Sequence, residues 1–433
     1  MPLMGASWKA WVCGMFLVVS QAHGDDATEI PAECRQDRET LACSVAIETW
    51  RSLSAFMAAV QADEVSPYQT LGPLYFYPRL AAAQGDLGDA IDLVVKLDPD
   101  SAVPGLSSYA NTKLDLLDTL SAIVVDPVSP ADVEELSALD PADLAKAGPW
   151  AMVSVARAFA AAGDESKARP LFLAAADAAF SDPGRDTGTA IRMFGSMQAR
   201  LLAVWAAAGF ADDALAYVAD WAPVDRGYAA LAIADGLAWT GDIEATRNLV
   251  ESLEGAFPLV GGLAIAEAER RSGDAEAALD QLHATRQDMT ELRQWLVRQH
   301  HLRLAQSCAL LGDFTAMREA AGWAGTNSFS YYNFWPKVAP FVACHDLSLA
   351  IALLRVDTDM MAAEGNPMAW HLVDALVAAA ASGHGEEAYA VARHTENDSD
   401  RTLLFMAVLA GLRQASELPS DAPACSALML VAR

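Results

Sequence analysis

Four groups of residues in this chain are of types that do chemistry. The first is a row set at fixed distances before a series of glycines. Arg157, Asp235, Glu267 and Gln306 stand six residues before one, and Tyr228 and Gln299 stand thirteen before one. Charged, amide and phenol side chains in a line supply hydrogen bonds and ring contacts along an extended polypeptide, so the row is a candidate partner-binding face. The plainer alternative is a solvated face with a few packing aromatics.

The second group is the stretch Ser328–Lys337, SFSYYNFWPK, with Tyr331, Tyr332 and Trp335 as candidate contact residues. Aromatics at this density mark contact surfaces when exposed. The competing expectation is that Phe334 and Trp335 open the next helix and bury themselves.

The third group is the cysteines. Cys34 and Cys43 are near in sequence and are expected to form a disulfide. Cys308 and Cys344 fall near the ends of first helices in successive hairpins, which leaves a bridge between them open. Cys425 is the odd one out. No pair has the CxxC spacing of zinc or thioredoxin sites.

The fourth group is the histidines. His300 and His301 are adjacent, so a helix cannot aim both at one ion. His384 precedes Glu386 and Glu387 without a second histidine at helical spacing. His345 stands where other repeats have glycine and is expected to be a tolerated cap rather than a ligand. Asp357-Thr358-Asp359 and Asp398-Ser399-Asp400 do not continue into calcium loops. There is no nucleophile elbow, P-loop, dinucleotide fingerprint or HExxH. No metal, cofactor or catalytic residue is therefore expected.

The elements that position these residues follow from a repeat. Arg226–Leu253, RGYAALAIADGLAWTGDIEATRNLVESL, reads as helix, turn at Gly241-Asp242, helix. The pattern recurs 32 residues on around Gly273-Asp274. Further turns are expected at Gly85-Asp86, Gly163-Asp164, Gly209-Phe210 and Gly312-Asp313, with degenerate ones at His345-Asp346 and Gly383-His384. The glycine ends the first helix in a left-handed conformation, and the following aspartate can cap the second. Ala90, Ala168, Ala214, Ala278 and Ala388 recur five positions after the glycine, where a small side chain lets paired helices approach closely; Thr246 and Met317 depart from the pattern.

This pattern resembles the tetratricopeptide repeat, best over about 150–395. It shares the glycine with a small residue five positions on. It also shares the apolar residue four before the glycine (Phe159, Trp205, Leu237, Cys308) and the alanine seven before it (Ala156, Ala234, Ala266, Ala305). Pro258 lies where that family often ends its second helix. Glu269 breaks the apolar position, and repeat spacing varies. The resemblance implies an all-α, right-handed superhelix of antiparallel hairpins whose first helices line a partner-binding face.

At the N-terminus, Lys9 precedes an apolar run from Ala10 to Val19 and a small-residue site at Ala22-His23-Gly24. That order reads as a signal peptide, residues 1–24, which implies export to the periplasm or beyond. Residues 25–148 read as an N-terminal helical region and 149–433 as the repeat domain. The net charge of −28 disfavours nucleic acid and anionic lipid as partners. The expected role is thus a non-catalytic exported protein that binds or scaffolds a polypeptide in the cell envelope. The alternative is an α/α toroid, a ring of similar hairpins, acting on envelope saccharides through an acid–base pair. The short loops argue against it.

Overall fold

The computed structural model describes Cys34, residues 40–62, 149–180, 197–291, 295–324, 334–361, 368–417 and Cys425. Within these the regular structure is entirely helical. Helix α1 (Leu41–Ala62) comes first. A run of hairpins follows. These are α2 (Pro149–Ala161) with α3 (Glu165–Phe180), α4 (Met197–Trp205) with α5 (Ala211–Tyr217), and α6 (Pro223–Trp239) with α7 (Ile243–Glu251). Next come α8 (Phe257–Arg271) with α9 (Ala275–Glu291) and α10 (Trp295–Leu310) with α11 (Phe314–Ala324). The last are α12 (Phe334–Ala343) with α13 (Leu347–Met361) and α14 (Met368–Ala381) with α15 (Gly385–Arg393), followed by α16 (Asp398–Glu417).

The turns follow from backbone chemistry. Gly163, Gly241, Gly273, Gly312 and Gly383 all have positive φ, between 75° and 94°. In this conformation the residue after the glycine can donate its N–H back over the helix end. Asp164 donates to Phe159 O, Asp274 to Glu269 O, Asp313 to Cys308 O and His384 to Ala379 O, at 2.8–3.0 Å. The aspartates then start the second helices. The carboxylate of Asp242 accepts from Ala245 N, Asp274 from Ala277 N, Asp313 from Ala316 N and Asp346 from Leu349 N, at 2.8–3.0 Å. The Gly209 turn has Phe210 where the aspartate would be. There the chain passes through a π-helical turn, Ala206–Phe210, and no side chain caps α5.

The residues five beyond the turns are sealed between paired helices: Ala168, Ala214, Thr246, Ala278, Met317, Ala350 and Ala388 are all fully buried. First helices pack on first helices in chain order, from α2 through α4, α6, α8, α10, α12 and α14 to α16. Second helices pack on their own partner and, α11 excepted, on the next first helix, as α7 does on α6 and α8. Close approach is built in. A Cβ on Gly236 of α6 would stand 2.0 Å from the carbonyl oxygen of Ala203 in α4, and one on Gly411 of α16 would stand 2.4 Å from that of Val377 in α14. Between α3, α4 and α5 the seam is aromatic, with Phe172 stacked on Trp205 and Phe180 edge-on to Trp221.

The N-terminal helix does not join the α2 end of this stack. It packs on α16 and α15, at the opposite end. A Cβ at Gly385, the first residue of α15, would meet Leu41 of α1 at 2.9 Å. The Cys34–Cys43 disulfide ties the segment before α1 to its first turn.

Several sequence expectations are corrected or fall outside the described residues. Pro258 does not end a second helix; it sits in the first turn of α8, where its missing N–H costs nothing. Cys344 bonds to Cys425 rather than to Cys308, whose thiol is free and buried. Residues 1–33, the Gly85-Asp86 turn with Ala90, and the pieces read between 63 and 148 lie outside the described residues.

Candidate functional site

Among the described residues, a cluster of buried charge lies on the first helices α6, α8 and α10. Arg303 of α10 is 3% exposed in its side chain, and it forms an ion pair with Asp235 of α6, 14% exposed. These helices belong to hairpins separated by the α8–α9 hairpin. In a flat layer, alternate helices would have axes about 16–20 Å apart. The two side chains therefore meet across α8, the long arginine covering most of the span.

Glu267 of α8 sits under that bridge, at 2% side-chain exposure. Its carboxylate accepts from Arg270 Nε and Nη2, both at 2.7 Å, and from Arg271 Nε at 3.1 Å. Burial alone would raise its pKa. The two guanidiniums outweigh that and hold it below the usual range, so Glu267 is a fixed anion. Asp235 goes the other way. Burial pushes its carboxyl up to about 6, against the pull of Arg303 and with the help of nearby Glu267. Two carboxyl groups on adjacent helices, both six residues before a turn glycine, thus differ in proton affinity. One arginine serves Asp235 and two serve Glu267.

On α10 the polar stripe continues. His300 is buried and its pKa is pushed down to about 3, first by burial and then by Arg303 and His301, so it is a neutral imidazole. Gln306 Nε2 donates to the Lys337 carbonyl of α12 at 2.9 Å, joining the two helices. Burial also lowers the pKa of the Lys337 ammonium.

The sequence-expected residues are distributed as follows. Asp235, Glu267 and Gln306 lie in or beside this charge cluster. Arg157 is half-buried on α2, at the α2 end of the stack. Tyr228 is buried, its ring edge-on to Phe257 at 5.2 Å. Trp335 opens α12 with Phe334, and both are buried against one another. Gln299 lies within α10, but its side chain is outside the described set, as are Tyr331 and Tyr332 altogether. Cys34 and Cys43 form the expected bridge.

Arg270, Arg271 and Arg303 are not among the sequence candidates, and His300 enters there only as a metal ligand that is set aside. A signal did exist for one of them, since Arg303 stands three residues before Gln306 and so on the same helical face. Glu269, which breaks the apolar position of the repeat, is also accounted for. Arg247 of α7 bonds to it at 3.0 Å, so the seam between α7 and α8 holds an ion pair at this repeat position.

A second constellation lies at the α12–α13 turn. His345 replaces the turn glycine, and its side chain does not cap the helices of its own hairpin but reaches the C-terminal end of α10. Its Nε2 lies 3.0 Å from Leu310 O in the preceding hairpin and 3.1 Å from Cys425 Sγ. Cys344 and Cys425 are both 1% exposed. Cys344, His345 and Cys425 bring their three ligand-type atoms within 4.8 Å of one another.

No protein-family model, no curated protein and no solved structure matches this chain. No helix among the described residues is long and apolar enough to cross a membrane.

Proposed function

We propose that the protein is an exported, non-catalytic binding or scaffolding protein whose hairpins wind as a right-handed, tetratricopeptide-like superhelix. Its first helices would present a concave face to a polypeptide of the cell envelope. The observation that carries this reading is the unbroken packing of first helix on first helix from α2 to α16. Such a stack makes one long surface from many short elements, a geometry suited to an extended partner. Cross-linking in the envelope through a photoreactive residue placed at Arg157 tests it. A discrete protein adduct is the expected result. Cross-links only to saccharide, or none while the chain remains folded, would overturn the reading.

A second reading has specific support. Helix α1 packs on α16, so the chain's first and last described helices are neighbours, as they would be in a closed α/α ring. Asp235 and Glu267, with their opposed proton affinities, are of the kind that acid–base hydrolysis of saccharides employs. Release of reducing sugars from envelope glycan, abolished by Asp235→Asn, would establish that activity and displace the first reading.

A further inference from the structure

We propose that Cys344, His345 and Cys425 form a zinc site that replaces the disulfide when it is reduced. The argument begins with the departure of one repeat from its pattern. Every other described hairpin turn carries a positive-φ glycine at this place, and this one carries His345, preceded by Cys344. A side chain here is not needed for the turn, because Asp346 donates to Val342 O and caps α13 without it. The imidazole instead reaches the sulfur of Cys425, which the chain brings back from 80 residues away.

The donor set is two sulfurs and one nitrogen, which suits a soft or borderline cation and does not suit calcium or magnesium. The Cα atoms of Cys344 and Cys425 are 5.3 Å apart. Zinc bonds of about 2.3 Å to sulfur and about 2.0 Å to nitrogen can be spanned from this arrangement by side-chain rotation. Three protein ligands leave a fourth position for water. Both cysteines are 1% exposed, so burial keeps their reduced sulfurs as neutral thiols, and the metal–sulfur bonds must supply the free energy of deprotonating them.

The chemistry balances with a dithiol as reductant. A dithiol thiolate attacks one sulfur of the disulfide and the mixed disulfide resolves. The reductant leaves as its own disulfide, and Cys344 and Cys425 are left as thiols. Zinc then displaces the two thiol protons. The imidazole proton, which Nε2 donates toward Leu310 O, moves to Nδ1, so that the Nε2 lone pair faces the metal. The C-terminal segment is thereby held to the α12–α13 turn in both redox states, by a covalent bond in one and by coordination in the other.

The test uses the full-length chain, reduced and kept free of oxygen, with cobalt(II) as a spectroscopic stand-in for zinc. The expected result is a thiolate-to-cobalt charge-transfer band in the near ultraviolet with tetrahedral ligand-field bands in the visible. Zinc should bleach both, and the oxidised chain should show neither. His345→Gly restores the residue that the other turns use, so it is expected to fold. It should weaken binding by more than about tenfold, since losing a ligand costs more than losing the outer partners that orient one. Cys308→Ser, which changes none of the three ligand atoms, should leave the spectrum unchanged. Absence of the charge-transfer band in the reduced chain, or equal binding by His345→Gly, would refute the proposal. So would loss of the band in Cys308→Ser, which would place the metal elsewhere. If reduction alone unfolds the chain, recovery of helical circular dichroism on adding zinc, with the same band for cobalt, supports it. Lack of recovery counts against it.

Discussion

Arg303 and Asp235, 68 residues apart in the chain, neutralise each other across an intervening hairpin. This contact places an arginine and an aspartate where water has little access. Its energetic sign depends on how it is broken. Removing one partner leaves a buried charge alone, whereas replacing both with hydrocarbon does not.

The first prediction follows. Arg303→Ala should destabilise the fold by about 3–5 kcal/mol, because it strands the Asp235 carboxylate beside Glu267. Arg303→Met combined with Asp235→Leu should cost much less than Arg303→Ala. Chemical denaturation of the two variants decides the matter. Equal losses would mean that packing, not charge, dominates at this position.

Acid should act on two groups in opposite directions. The His300 pKa falls from 6.5 to about 3 on folding, so its contribution to stability is full above pH 6.5 and is lost as pH drops toward 3. The Asp235 pKa rises from 3.8 to about 6, so its contribution is full below pH 4 and is lost as pH rises through 6. Between pH 6.5 and 4 the two partly cancel. His300→Asn should therefore flatten the loss of stability on acidification. Asp235→Asn should steepen it, by up to about 1.4 kcal/mol per pH unit. Urea midpoints measured across this range check both signs.

The glycines should divide into two classes. At Gly236 a methyl group would collide with the Ala203 carbonyl, a backbone atom that cannot swing aside. Gly236→Ala should separate α4 from α6 and cost about 1–3 kcal/mol or more. At Gly163 a methyl group meets nothing within 4 Å, but φ is +77°. Gly163→Ala should cost about 1–2 kcal/mol of backbone strain only and leave the packing intact. Thermal melts, with near-ultraviolet circular dichroism to report packing, separate the two.

Capping aspartates should be worth less and add independently. Asp274→Ala and Asp313→Ala each remove a bond from the first turn of a second helix. Each should cost about 1 kcal/mol. The turns belong to successive hairpins, so the double variant should lose roughly the sum. Asp313 also lies 3.0 Å from His283, and an excess loss in its variant would measure that contact.

The two disulfides should differ by the length of chain they close. Cys344–Cys425 spans 81 residues and Cys34–Cys43 spans 9. Chain entropy alone makes the first worth about 4.5 kcal/mol and the second about 2.7 kcal/mol. Cys425→Ser should lower the denaturation midpoint more than Cys43→Ser. Cys43→Ser should instead show itself locally, as faster proteolysis at α1.

What the sequence settled is local. A glycine followed by aspartate specifies a left-handed helix end and a capped helix start through bonds three to five residues long, so Gly163, Gly241, Gly273 and Gly312 could be read as turns without further context. The small residue five positions on has the same local origin, since paired helices must touch there. The tertiary structure decided what meets at a distance. No spacing rule announces that Arg303 reaches Asp235 past a whole hairpin, that α1 packs on α16, or that Cys425 bonds to Cys344. Each depends on how small rotations between successive hairpins accumulate, and those rotations are set by the summed packing of many side chains such as Phe172, Trp205 and Gly236. The side chains of the face show the same division. The repeat told which positions would lie on the first helices, but only the packing of α6, α8 and α10 turned Asp235 and Glu267 from a solvated row into a buried, arginine-clamped cluster.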